Sequence, residues 1–202
     1  MTCRWSTGVI QVNNSFTIDI GTSPERLSPQ FEPHPLTANL MPHSDNTILV
    51  RRATPADVPQ LCGLLTLLFA QEADFTPDTE RQTRALSLII EQPDVGHIYC
   101  ATDGKLIAGM VSILFTISTA EGGRAAWLED MVVNPAYRGS GIGKRLLNEA
   151  IRQARSAGCS RITLLTDATN TLAMQFYGRS GFVRSQMVPF RLGLPAAENK
   201  AP

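Results

Sequence analysis

The chain has 202 residues, enough for one domain, or one domain with an appendage. Its 18 Lys and Arg balance 18 Asp and Glu, so no whole-chain charge draws it to nucleic acid or to an anionic membrane. With 43% hydrophobic residues it can fill a core, yet its longest apolar stretches, residues 61–70 and 107–115, fall short of the roughly 20 that span a bilayer.

Residues 1–47 hold Pro24, Pro29, Pro33, Pro35 and Pro42 and show no sustained helical or strand period. They read as a disordered or leader segment, without the basic start and unbroken apolar run of a secretory signal. From Ile48 the pattern turns regular. Residues 48–52 predict a strand, and Thr54-Pro55-Ala56-Asp57 supplies the N-cap, first-turn proline and N3 acid of a helix. Leu61, Leu64, Leu65 and Leu68 carry that helix to about Glu72. Thr76-Pro77-Asp78 repeats the start signal for a second helix, faced by Leu86, Ile89 and Ile90 and ended by Pro93.

Two strands over 97–102 and 105–118 flank Asp103-Gly104, a strong hairpin signal, and a turn at 121–124 leads into a third antiparallel strand over 125–133. Ile142, Leu146, Leu147, Ala150, Ile151 and Ala154 mark an amphipathic helix closed by Gly158. Residues 161–166 predict a strand, Asn170 caps a last helix through Tyr177, and 182–192 read as a final strand. The order is that of an α/β protein with a mixed, mostly antiparallel central sheet and helices on both faces. The domain is expected over 48–192, with 193–202 as a tail.

Cys3, Cys62, Cys100 and Cys159 form no C-x-x-C pair and no histidine stands at zinc spacing from them, which predicts reduced thiols, a cytoplasmic protein and no metal. Of the three histidines only His97 lies in the regular region, which argues against a Ser/His/Asp or Cys/His mechanism.

The chemistry concentrates in 131–144, MVVNPAYRGSGIGK, where a strand runs through Asn134-Pro135 into a glycine turn that opens a helix. Gly139, Gly141 and Gly143 let the backbone approach a ligand, and the first N–H groups of the helix carry the positive end of its dipole, so the turn predicts a phosphate site bracketed by Arg138 and Lys144. A P-loop would need glycine at Arg138 and Ser or Thr at Arg145. The dinucleotide fingerprint would need its third glycine at Lys144. Upstream, Glu129 and Asp130 are consecutive acids inside an apolar strand. In a regular strand only one of them shares the face of Trp127 and Met131, and an acid there must be hydrogen-bonded or working.

The pattern R-x-x-G-x-G, met by Arg138 to Gly143, resembles that of the GNAT superfamily of N-acetyltransferases. ILVRRATPADVPQL is similar to the family's first strand and helix, WLEDMVVNPAYRGSGIGKRLL to its central strand, turn and helix, and NTLAMQFYGRSGF to its closing helix and strand. The resemblance covers about residues 48–192. It implies the GNAT fold and acetyl-coenzyme A as co-substrate. Met131, Val132 and Val133 would give main-chain contacts to the pantetheine arm, and Arg138, Gly139, Ser140, Gly141, Ile142, Gly143 and Lys144 would form the pyrophosphate cradle. Asn170 would place a side chain on the coenzyme. The Leu128-Glu129-Asp130 run is similar to that of polyamine-type members, in which the glutamate helps to deprotonate the amine.

The resemblance implies transfer of an acetyl group to a primary amine in one direct step. Glu129 would serve as base through water, a strand N–H such as that of Val132 as oxyanion donor, and Tyr177 as the acid that returns a proton to sulfur. The expected partner is a small-molecule or peptide amine, with no nucleic acid and no membrane, and a homodimer is compatible with the reading. A non-catalytic acyl-coenzyme A sensor or interaction module of the same fold is the alternative. Coenzyme binding without acetylation of any amine would mark it.

Overall fold

Thr54 starts the first helical segment as its residue type dictates. Its N–H and hydroxyl both donate to the Asp57 carboxylate, at 2.7 and 2.9 Å, and Arg51 holds the same carboxylate with two bonds of 2.7 and 2.8 Å. The Arg51 guanidinium is the main reason that the Asp57 carboxyl is held down at about 2. The computed structural model describes residues 48–70 and 77–194. The expected leader over 1–47, and the expected tail apart from its first two residues, lie outside the described residues.

Strand β1 (Leu49–Arg52) and a single 3-10 turn (Pro55–Asp57) lead into α1 (Val58–Phe69), and α2 (Thr79–Glu91) follows. Asp78 caps α2, its carboxylate accepting the Arg81 N–H at 3.0 Å, while Thr76, which opened the expected start signal, lies outside the described residues. Then come β2 (Gly96–Asp103), β3 (Leu106–Ser118), β4 (Gly123–Val133), a second 3-10 turn (Pro135–Tyr137), α3 (Ile142–Ser156), β5 (Ile162–Leu164) and α4 (Thr171–Gly178). The β2–β3 hairpin pairs Asp103 with Leu106, so its two-residue loop is Gly104-Lys105, one position later than expected. Gly104 takes φ 60°, which suits glycine at the first loop position.

The five strands lie in chain order, antiparallel from β1 to β4, with β5 added parallel to β4. Leu61, Leu65, Leu68 and Leu86 of α1 and α2 pack with Ile98, Cys100, Met110 and Val132 on one face. Leu146, Leu147 and Ala150 of α3 and Ala173 and Tyr177 of α4 pack with Val111, Ile113, Leu128, Met131 and Val133 on the other. Alternation along β3 and β4, shifted once by a bulge, thus assigns their buried side chains to one of two helical layers.

The strand expected over 182–192 does not form. Residues 183–194 run without helix or strand, with Val183, Met187, Val188, Phe190, Leu192 and Leu194 exposed. The alternation of Val188, Phe190 and Leu192 suits a strand, but β5 pairs through only three residues, and Pro189 removes a donor in mid-run.

Candidate active site

The two edges of β4 are used differently. Its β3 edge is paired nearly from end to end, whereas β5 meets only Ala126, Leu128 and the Trp127 between them. From Glu129 to Val133, no strand among the described residues pairs with the β5 edge. The N–H of Asn134 donates to the Ala108 carbonyl at 2.8 Å. That bond sets the phase: Asn134 and Val132 turn their main-chain groups to β3, with Val132 opposite Met110, and Val133 and Met131 turn theirs to the open side. Arg138 Nε donates to the Val133 carbonyl at 3.4 Å. Val132 was expected to offer main-chain contacts and an oxyanion N–H, and the register instead directs its N–H into the sheet. The outward main-chain groups of this stretch belong to its two neighbours, Met131 and Val133.

Beyond Val133 the chain is stiffened into a turn. Asn134 Oδ1 accepts the Ala136 N–H at 3.0 Å, and the Ser140 hydroxyl donates to the Tyr137 carbonyl at 2.6 Å. The Tyr137 hydroxyl reaches back to Asp103 at 3.2 Å. Gly139 and Gly141 both stand at φ 79°, a left-handed conformation costly for any side chain. The first i→i−4 bond of α3 runs from Arg145 N–H to the Gly141 carbonyl at 3.1 Å. The N–H groups of Ile142, Gly143 and Lys144 therefore lie ahead of the helical ladder. A Cβ built on Gly139 or Gly141 meets nothing within 4 Å, so the space at these two positions of the turn is open. Ile142, Leu146 and Leu147 are buried and anchor the helix, while Lys144 is exposed. Open space, unladdered amides and two flanking cations fit a pyrophosphate.

The acid pair is shaped by a bulge that alternation alone does not reveal. Met110 pairs with Val132 and Ser112 with Glu129, so Val111 faces two residues, Asp130 and Met131. Asp130 is the one non-glycine residue with positive φ, 38°, among the described residues. Met110 belongs to the α1–α2 layer and Val111 to the α3–α4 layer, which returns Ser112 to the α1–α2 side. Glu129, opposite Ser112, shares that side, and so does Asp130, whose carboxylate accepts the Ser112 hydroxyl at 3.3 Å. Both acids thus face one way, with Trp127, while Met131 faces the other. The expectation that Trp127 and Met131 share a face fails because the extra residue shifts the alternation by one.

Burial pushes the Glu129 carboxyl up, and neighbouring Asp130 pushes it further, while Arg191 acts in the opposite direction. Burial also raises Asp130, partly offset by the Ser112 bond. A carboxylate raised in this way is a stronger base, nearer in pKa to the neutral range where general bases work best.

Tyr177 lies across the sheet from this pair, buried on α4, with its hydroxyl 3.7 Å from the Met131 sulfur and its ring edge-on to Phe176 and Phe182. The bulge therefore separates two faces that meet at the open edge of β4. Asn170 caps α4 as expected, its amide oxygen accepting the Ala173 N–H at 3.0 Å. His97 stands apart, on the α3 side, with Nδ1 2.9 Å from the Tyr99 hydroxyl. Two residues escaped the sequence reading. Ser112 was detectable as the single hydroxyl inside the apolar run LIAGMVSILF, whereas Arg191 is brought to Glu129 only by tertiary structure.

Among the described residues no group of three metal-ligating side chains occurs, and no helix is long and apolar enough to cross a membrane.

The fold and site define an α/β protein whose sheet opens along one strand above a glycine turn suited to an anion. Residues 64–182 match the model of the acetyltransferase (GNAT) family, and the chain belongs to that family. It is 34% identical over 89 residues to a glucosamine 6-phosphate N-acetyltransferase of Trypanosoma brucei brucei, covering 44% of this chain and 58% of that protein. It is 29% identical over 136 residues to an aminoalkylphosphonate N-acetyltransferase of Salmonella typhimurium, covering 67% and 85%. The match to an uncharacterized N-acetyltransferase of Methanocaldococcus jannaschii spans 44% of that protein. A putative acetyltransferase from Agrobacterium tumefaciens superposes with a TM-score of 0.62 at 27% identity, over 73% of this chain and 100% of that one. A Clostridium acetobutylicum protein, described as a predicted acetyltransferase and solved with acetyl-CoA, shares the fold at 18% identity, with a TM-score of 0.62 over 72% and 96%.

Proposed function

We propose that this protein transfers an acetyl group from acetyl-coenzyme A to a primary amine in one direct step. The observation that carries the reading is the open edge of β4, which runs from half-buried Glu129 to the amide-rich turn at 139–144 with no strand paired to it among the described residues. The pyrophosphate would rest on the N–H groups of Ile142, Gly143 and Lys144, with Gly139, Ser140 and Gly141 keeping the approach clear and Arg138 and Lys144 adding charge. The outward main-chain groups of Met131 and Val133 would hold the pantetheine arm. Asn170, whose amide oxygen caps α4, would offer its amide nitrogen.

An amine with a pKa near that of lysine, about 10.4, arrives protonated and must lose a proton before its nitrogen can attack. Glu129 takes that proton through water, and its raised pKa favours the transfer. The nitrogen forms a bond to the thioester carbon, the oxyanion is held by an outward N–H of the strand, and the carbon–sulfur bond then breaks. The departing thiolate takes a proton from the Tyr177 hydroxyl, the new amide loses its extra proton to solvent, and solvent restores the tyrosine. Direct transfer also suits the thiols. Burial pushes Cys100 up to about 11 and raises Cys159, so neither is an activated nucleophile for an acetyl-enzyme. The free thiols Cys62, Cys100 and Cys159 fit a reducing, cytoplasmic setting.

Thermal shift with acetyl-coenzyme A, ATP and NAD side by side, followed by thiol release with an amine panel, tests the reading. Stabilisation by acetyl-coenzyme A alone and amine-dependent release support it. Stabilisation without release from any amine would favour the sensor.

A further inference from the structure

The helices of the α1–α2 layer cover Ile98, Cys100, Met110 and Val132, and among the described residues that core reaches no further along β3 and β4. Further along the same face, Trp127 lies opposite Leu114 on β3 and opposite Thr163 on β5, and cross-strand partners share a face. Leu114 is half-buried and Trp127 is 37% exposed, and neither belongs to either hydrophobic core. Its neighbour Leu128, on the other face, is 1% exposed. A tryptophan in mid-strand, with strands paired on both sides, thus keeps much of its ring uncovered. Two residues on, roughly 7 Å along the strand, stands Glu129 on the same face, with Asp130 beside it.

We infer that Trp127 is a specificity-determining residue, the platform on which the carbon chain of an unbranched alkyl amine lies while its nitrogen reaches Glu129. The inference rests on the acetyl-transfer reading and deepens it by naming the acceptor class. An indole face offers apolar area to methylenes and a negative quadrupole to a protonated amine sliding over it. Leu114 extends the floor with aliphatic surface, and Thr163 borders it on the β5 side. The charges agree with an acceptor of this kind. Glu129 and Asp130 face the platform's end, so an acceptor with a phosphate or phosphonate close to its amine would bring an anion to two carboxylates, with Arg191 as the opposing cation. An alkyl amine brings only its own positive charge.

The test is kcat/KM from thiol release over the straight-chain series ethylamine to hexylamine, for wild type, Trp127→Phe and Trp127→Ala. A methylene half-buried on the indole should raise kcat/KM about twofold per carbon in the wild type. Trp127→Ala should flatten that slope and Trp127→Phe should keep most of it, since a phenyl ring supplies a smaller platform. The coenzyme Kd of each variant, by calorimetry, reports whether the fold is retained. In a Trp5→Phe background Trp127 is the one remaining indole, and its emission should shift when hexylamine is added to the coenzyme A complex. Parallel slopes in wild type and Trp127→Ala, or an emission blind to hexylamine, overturn the inference while leaving acetyl transfer standing. No transfer to any amine removes the functional reading and this inference with it.

Discussion

Gly141→Ala isolates the role of the turn, because structure separates its cost to folding from its cost to binding. The added Cβ meets nothing within 4 Å, so the folding penalty is backbone strain at φ 79° alone. That strain is about 1–2 kcal/mol for a left-handed residue other than glycine, a fall of roughly 2–8 °C in Tm for a domain of this size. The binding penalty has another origin. The methyl group takes up part of the open space at the turn, and, with the pyrophosphate placed as proposed, holding phosphate oxygens away from two of its donors forfeits about 1.5–3 kcal/mol for each hydrogen bond to a charged group. The coenzyme Kd should rise by about 10² to 10⁴, since each 1.4 kcal/mol is tenfold. Gly158→Ala is the matched control: it has φ 76°, its Cβ also meets nothing, and it follows the far end of α3. It should lose the same Tm and no affinity. Calorimetry with coenzyme A and differential scanning on both variants give the comparison. A Kd for Gly141→Ala within threefold of that for Gly158→Ala would refute the placement of the pyrophosphate.

The acid pair and the tyrosine give further expectations. Glu129→Gln should lower kcat/KM at neutral pH by roughly 10²- to 10⁴-fold, and the deficit should shrink as pH rises towards the amine pKa, where free amine needs no base; a deficit constant with pH would deny Glu129 that role. Asp130→Asn keeps an acceptor for Ser112 and a residue that tolerates positive φ, but removes the charge that raises Glu129, so the acidic limb of the kcat/KM profile should move to lower pH. Because the Asp130 carboxyl is itself raised, its contribution to stability is present at low pH and lost as pH climbs through the raised value. The amide should therefore raise Tm at pH 7 relative to wild type and not at pH 4, and a gain equal at both would contradict the burial argument. Tyr177→Phe should leave the coenzyme Kd near that of wild type and lower kcat by roughly 10²-fold, measured by single turnover; a change within threefold would return the ring to a packing role among Phe176, Phe182 and Met131.

Where a residue's own backbone requirements decide the structure, the sequence was readable. Thr54 and Asp57 lock the start of α1, Gly104 turns the first hairpin, and Gly139 and Gly141 open the turn before α3. The helices and the mixed sheet followed from period and element order, and the layers on both faces from the resemblance to the family. What escaped depends on pairing between segments. The bulge that turns Glu129 and Asp130 to one side arises from the register of β4 against Ser112 and Met110, and two adjacent acids in an apolar run do not reveal which residue is extra. For the same reason the sequence did not show that the phase of the β3 ladder turns the main-chain groups of Val132 into the sheet and leaves those of Met131 and Val133 outward. The expected strand over 182–192 shows the converse: Val188, Phe190 and Leu192 alternate as a strand should, but a strand also needs a partner, which the three residues of β5 do not supply.

The central claim is direct transfer to an amine, and the most direct measurement follows acetyl-labelled coenzyme A mixed with the protein and hexylamine, quenched over a time course. The account predicts label leaving the coenzyme and arriving on the amine as the N-acetyl product, one free thiol per acetylated amine, with no label on protein at any time. Label found first on the protein would contradict direct transfer, and label retained by the coenzyme with hexylamine and with every other amine of the panel would contradict transfer altogether.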